Sequence, residues 1–119
     1  MSAPVDPRVV EYVAREALSR YGPIEPGRAA KVRRNLRRNL ALSVATEEIE
    51  ALLRHYKELY RSGASLLRNH LRPPAGKLCD PGDVDFEGLV SALSAENPGD
   101  DRALLSLVAN WVIYYEYLR

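Results

Sequence analysis

Five basic side chains share one side of a short amphipathic segment in the N-terminal third of the chain. At about 100° per residue they form one continuous arc of a helix, and no acidic residue lies among them. Like charges four residues apart repel by a few tenths of a kcal/mol, so a merely solvated helix surface usually interleaves acids. A guanidinium group can donate two hydrogen bonds to one phosphate. We call this set the basic face: Lys31, Arg33, Arg34, Arg37 and Arg38.

The basic face predicts contact with the phosphates of a nucleic acid. Phosphate contacts carry no sequence information, so we expect a non-catalytic accessory protein that binds without strong sequence preference. Arg28 stands one turn earlier in the segment and is expected at the edge of the contact. The alternative ligand is an acidic protein surface, because the net charge is +5 over residues 1–40 and −5 over residues 73–119.

The C-terminal segment offers a second candidate surface, because its apolar residues form two adjacent seams. A helix that is apolar on two seams is either central to its domain or shared with a partner. The alternative function is therefore a protein–protein adaptor or a homo-oligomeric subunit such as a homodimer. The first seam, which is the candidate interface, consists of Leu104, Leu107, Trp111, Tyr114 and Leu118. The second seam consists of Leu105, Val108, Val112 and Tyr115.

Residues with catalytic or metal-ligating chemistry are few and poorly spaced. The two histidines, His55 and His70, stand in neither a His-x-x-x-His nor a Glu-x-x-His pattern. Together with the single cysteine they cannot provide a zinc ligand set. The glycines follow turn patterns rather than a phosphate-binding loop. We expect no catalytic residue, no metal and no cofactor.

The apolar spacing that carries these residues is helical throughout. Asp6-Pro7 starts the first helix, whose stripe extends to Tyr21 before Gly22-Pro23 ends it. The second helix runs from Arg28 to about Leu42. The third begins near Thr46, whose hydroxyl is expected to cap it. It continues to Arg72, either as one long helix or with a break at Ser62-Gly63 that leaves a short separate helix.

The C-terminal part of the chain begins with a loop at 73–84. Asp83 or Asp85 caps the next helix, and Asp100 caps the last one, which is expected to reach the C-terminus. No segment alternates apolar and polar residues as a half-buried strand does. The prediction is an all-α, compact bundle of five or six helices in a single domain spanning 1–119.

Length and composition indicate the number of domains and the cellular compartment of the protein. A chain of 119 residues is the size of one domain. Its longest apolar stretch is too short and too polar to span a bilayer, so we expect no membrane partner. One cysteine cannot form an intramolecular disulfide, which favours the cytoplasm. Arginine outnumbers lysine 14 to 3 and glutamine is absent, a thermophile-like composition.

Overall fold

The computed structural model of the chain describes residues 6–70 and 84–118, with side chains to residue 117. The regular elements within these two stretches are all helical, which confirms the all-α class. In chain order they are α1 (Pro7–Leu18), α2 (Arg28–Leu40), α3 (Thr46–Leu67), a 3-10 turn (Arg68–His70), α4 (Phe86–Glu96), α5 (Arg102–Ile113) and a π-helical turn (Tyr114–Leu118).

The chain divides into two compact units, Met1–Lys57 and Glu58–Arg119, and the boundary falls inside α3. That residues 1–119 form a single domain stays a prediction. The predicted loop at 73–84 lies outside the described residues except for Val84, which is buried.

The first unit begins with α1, which packs against α2. Asp6 caps α1 as predicted, since its carboxylate accepts a hydrogen bond from the Arg8 amide at 2.9 Å. The expected inclusion of Tyr21 in the apolar stripe is wrong. The helix ends at Leu18, and the chain turns away through Gly22 at a φ of 97°, which leaves Tyr21 57% exposed. The buried apolar residues of this unit are Val9, Val13, Ala14, Ala17, Leu18, Ala29, Val32, Leu36, Ile49, Leu53 and Tyr56.

Helix α2 starts and stops at residues with left-handed backbone conformation. Gly27 precedes it with a φ of 80°, which a glycine adopts at little cost. Ala41 follows it with a φ of 53°, and the amides of Ala41 and Leu42 both donate to the Leu36 carbonyl. The helix therefore ends at Leu40, two residues before the predicted end.

Helix α3 is continuous through Ser62-Gly63, so the single long helix is the alternative that the chain adopts. It ends at Leu67, before the predicted Arg72, and its last part passes into the 3-10 turn. The expectation that Thr46 caps it is wrong. Thr46 is the first helical residue, and the amides of Glu48 and Ile49 donate to the carbonyl of Ala45.

The second unit is organised around the packing of α4 against α5. Asp85 caps α4 by accepting from the Gly88 amide at 3.1 Å. The cap of α5 is Asp101, which accepts from the Ala103 amide at 2.7 Å, and not Asp100 as predicted. The buried apolar residues here are Leu59, Leu67, Val84, Leu89, Val90, Leu93, Leu105, Val108, Ala109, Val112 and Ile113.

Candidate nucleic-acid interface

The basic face lies on the exposed side of α2. The opposite side of the helix is buried through Ala29, Val32 and Leu36, which recur at helical spacing. All five members of the basic face are exposed, and they occupy fewer than three turns. The burial of one stripe thus fixes the orientation of the cations that the sequence places together.

The exposed arginines in and just after α1 are arranged differently, because each is paired with an acid on the same segment. The ion pairs are Arg8–Asp6 at 2.9 Å, Arg15–Glu11 at 3.1 Å and Arg20–Glu16 at 3.7 Å. The hydrogen bond from the Arg8 side chain holds the pKa of the Asp6 carboxyl below its ordinary value. No described carboxylate of the first unit lies within ion-pair distance of the basic face. Among the described residues of this unit, the basic face is thus a group of neighbouring cations on one helix that have no ion pair with a carboxylate.

Arg28 does not belong to the exposed arc. Its side chain is only 9% exposed, and its Nη2 donates to Glu25 Oε2 at 2.7 Å. This hydrogen bond lowers the pKa of Glu25 from its ordinary value. The structure thus separates Arg28 from the exposed cations, and its expected place at the edge of the contact stays a prediction. The sequence held the signal, because Arg28 precedes the buried Val32 by four residues and so shares its side of the helix.

Arg28 instead lines a recess between the start of α2 and the first half of α3. The recess has a volume of about 440 Å³. Its polar lining includes Thr46, Glu50 and Arg54, which the sequence had not connected with α2. These α3 residues follow one another at intervals of four, and this spacing places them on one side of the helix.

The first seam of the C-terminal segment is left partly open, while the second seam is buried except for Tyr115, which is half-buried. Leu104, Leu107 and Trp111 are half-buried and Tyr114 is 49% exposed, whereas Leu105, Val108 and Val112 are buried. The side chain of Leu118 lies outside the described ones. The second seam therefore supplies the core of this unit, and the first is only partly covered.

Three aromatic rings cluster near the ends of the two seams: Trp111 and Tyr114 belong to the first seam and Tyr115 to the second. Trp111 and Tyr115 are stacked, with ring centroids 5.4 Å apart and an interplanar angle of 21°. Tyr114 meets both edge-on, at 5.9 Å from Trp111 and 5.2 Å from Tyr115. Together with Asn110 they line an open recess of about 440 Å³.

The potential metal ligands do not form a group in the part of the chain that the structure describes. No group of three His, Cys, Asp or Glu side chains close enough to hold a metal ion occurs among these residues. His70 Nδ1 lies 4.0 Å from Asp85 Oδ2, and the Asp85 amide donates to the His70 carbonyl at 2.7 Å. These contacts join the 3-10 turn to the start of α4.

Comparison with known proteins adds no functional assignment. No family model, curated sequence or solved structure matches the chain. Over the residues described, none of the helices combines the length and apolar character needed to cross a membrane.

Proposed function

We propose that this protein binds nucleic acid without catalysing a reaction, and that the basic face of α2 contacts the phosphates. The observation that carries the proposal is the exposure of five cations on one helix face, with no carboxylate among the described residues of the same unit within ion-pair distance. Four of the five are arginines, whose planar guanidinium groups match phosphate oxygens. Cations that are not already neutralised by carboxylates can contribute favourably to the free energy of phosphate binding.

The spacing of the basic face suits a backbone that passes along the helix. Lys31, Arg34 and Arg38 follow one another at intervals of about 5 Å along the axis, from the rise per residue of an α-helix. Phosphate groups can engage such a row without any base entering a pocket. We therefore expect little sequence preference and binding of both DNA and RNA.

The test is a fluorescence anisotropy titration of a labelled single-stranded oligonucleotide at several salt concentrations. Five phosphate contacts on a single strand predict a slope of log K against log salt of about −3.5. Substitution of Arg33, Arg34 and Arg38 by glutamine should reduce the steepness of that slope by about 2. Glutamine has nearly the helix propensity of arginine, so the helix content measured by circular dichroism should not change.

A matched control removes three exposed arginines outside the basic face, namely Arg8, Arg15 and Arg20. The control variant carries the same change in net charge and should retain the slope of the wild type, because these side chains are already paired with acids. An equal reduction of the salt slope in the two variants would mean that binding depends only on overall charge. That result would contradict the assignment to α2.

An acidic protein surface is the competing ligand for the same face. Poly-glutamate of matched charge tests it in the same titration, because carboxylates carry the charge without the phosphate geometry. Nucleic acid should bind more tightly than poly-glutamate at equal salt.

The single cysteine is the reason to assign this activity to the cytoplasm, where thiols stay reduced.

The first seam of α5 favours a second function, self-association or binding of a partner protein. Its half-buried leucines and the exposed ring of Tyr114 form an apolar strip beside a buried core. Tyrosine and tryptophan are enriched in protein interfaces. The two functions use different surfaces, so a homodimer is compatible with nucleic-acid binding.

A further inference from the structure

The recess beside the basic face has the size and lining of a site for a small anion-bearing group. Its volume of about 440 Å³ is within the range of small-molecule sites. Apolar walls come from Ile24, Pro26 and Leu53, while Arg28 and Arg54 bring positive charge. The whole lining belongs to the first unit, as does the basic face.

Helix α2 opens into this recess with unused hydrogen-bond donors. Three of the helices that the structure describes are capped by the aspartates Asp6, Asp85 and Asp101, whereas Gly27 at the start of α2 has no side chain that could cap. The amides of Ala29 and Ala30 have no acceptor among the described residues. Uncapped amides and the positive end of the helix dipole together attract anions.

Arg28 supplies an independent indication of a ligand. The side chain is more than nine-tenths buried and lines the recess, and its Nε is buried with no hydrogen-bond partner in the part of the chain that the structure describes. Glu25 engages Nη2 alone, so half of the two-donor edge of the guanidinium is unused. A group with three terminal oxygens can bind both nitrogens of this edge and still reach a helix amide.

The acids at the recess determine how an anion can enter. Glu25 and Glu50 balance the formal charges of Arg28 and Arg54. The carboxylate of Glu25 binds Arg28 from a solvent-exposed position, since 64% of its side chain is accessible, so an incoming anion can replace it on Arg28. Glu25 therefore competes with the ligand for Arg28. Removing its negative charge should strengthen the binding of an anion in the recess.

We infer that this recess binds the terminal phosphate of a nucleic-acid strand whose following phosphates contact the basic face. A phosphomonoester has three free oxygens and up to two charges, whereas an internal diester has two free oxygens and one charge. The recess therefore favours an end over an internal position. Lys31 stands directly after the recess residue Ala30, so the strand continues from the recess onto the basic face. This inference rests on the proposed function.

The experiment compares oligonucleotides of one sequence with a 5′-phosphate, a 3′-phosphate or hydroxyls at both ends, each labelled internally. Anisotropy titrations with the intact protein should show at least one terminal phosphate tightening binding about tenfold, the effect of one or two charge-assisted hydrogen bonds. Arg28→Lys should remove this preference while the unphosphorylated strand still binds. Glu25→Gln should enlarge it, because the competing carboxylate is neutralised.

Two further variants keep the test decisive if Arg28→Lys fails to fold. Arg54 is exposed, so Arg54→Gln should fold and reduce the preference for the phosphorylated end. Arg15→Gln is the matched control, because Arg15 is exposed and its partner Glu11 lies outside the recess. This control should leave the preference unchanged.

The outcomes separate this inference from the proposed function. Equal binding of all three strands overturns the terminal site and leaves the basic face intact. No binding of any strand overturns the proposed function, and the terminal site with it. A phosphomonoester can also belong to a free nucleotide instead of a strand end. Calorimetry with a nucleoside 5′-monophosphate tests whether the recess binds such a nucleotide. Binding of the free nucleotide without any end preference would mean that the recess serves a small molecule, which also overturns the strand-end site.

Discussion

Ala41 carries the clearest local strain in the described chain. It is the non-glycine residue with positive φ among the described residues, and it ends α2 in the left-handed region. For an L-residue that conformation costs about 1–2 kcal/mol, whereas glycine adopts it freely. The turn that ends the basic helix therefore stores strain that a substitution can release.

Ala41→Gly should raise the free energy of unfolding by about 0.5–1 kcal/mol, since the relief of strain exceeds the extra entropy of glycine in the unfolded chain. Urea denaturation followed by circular dichroism measures this. Ala51→Gly is the control with the same chemical change, because Ala51 is exposed within α3, and it should lose about 1 kcal/mol. Destabilisation by both variants would show that the Ala41 conformation is not strained.

At the scale of elements, the contact between α3 and α5 in the second unit depends on a glycine. A Cβ added to Gly63 would lie 2.9 Å from Val112 Cγ2, and Val112 is fully buried. The Ser62-Gly63 pair, which the sequence offers as a possible break, is thus a point of close packing inside a continuous helix. Glycine is used here for its size rather than for its backbone freedom.

Gly63→Ala should destabilise the protein by about 1 kcal/mol. The methyl group improves helix propensity by about 1 kcal/mol, but overpacking a filled core costs about 1–3 kcal/mol. Thermal denaturation measures the difference, and Gly63→Ala should cost less in a Val112→Ala background than in the wild type, because the clash is then absent. Gly99→Ala is the control, because nothing lies within 4 Å of its added Cβ. A stabilised Gly63→Ala variant would show that Val112 can move aside.

The elements that sequence predicts best are those whose signal is local. The Asp6 cap, the start of α2 at Arg28 and the exposed face opposite Val32 follow from neighbouring residues alone. Helix ends were less predictable: Leu18 and Leu40 end their helices through turns whose backbone angles a pattern of apolar residues does not determine.

The recess at the start of α2 could not have been predicted from local patterns. It requires Arg28 of α2 and Arg54 of α3 to line the same recess, and tertiary packing decides which residues do so. The burial of Arg28 was partly readable, because its position relative to Val32 places it on the buried side. Its pairing with Glu25 depends on the turn before the helix.

At the scale of the whole molecule, charge is distributed unequally between the two units. The first unit carries a formal charge of +4 and the second −3, although the chain as a whole carries only +1. Two copies can therefore attract one another through opposite charges as well as through the apolar first seam of α5. The dependence on salt distinguishes charge attraction from apolar association. Charge interactions are screened within a few ångström at about 1 M ionic strength, while apolar burial is not weakened.

We expect self-association through the first seam to persist in high salt. Light scattering at increasing protein concentration should show a rise in mass at both low and high salt. Replacing Trp111 and Tyr114 by serine should abolish the rise, because these rings supply most of the exposed aromatic area of the seam. Tyr21→Ser is the control, since Tyr21 is equally large and 57% exposed but belongs to the other unit. A mass increase that disappears with salt and survives the double substitution would assign association to the charged units instead. A monomer at every concentration would contradict self-association, and binding of a different protein would then be the remaining function of the first seam.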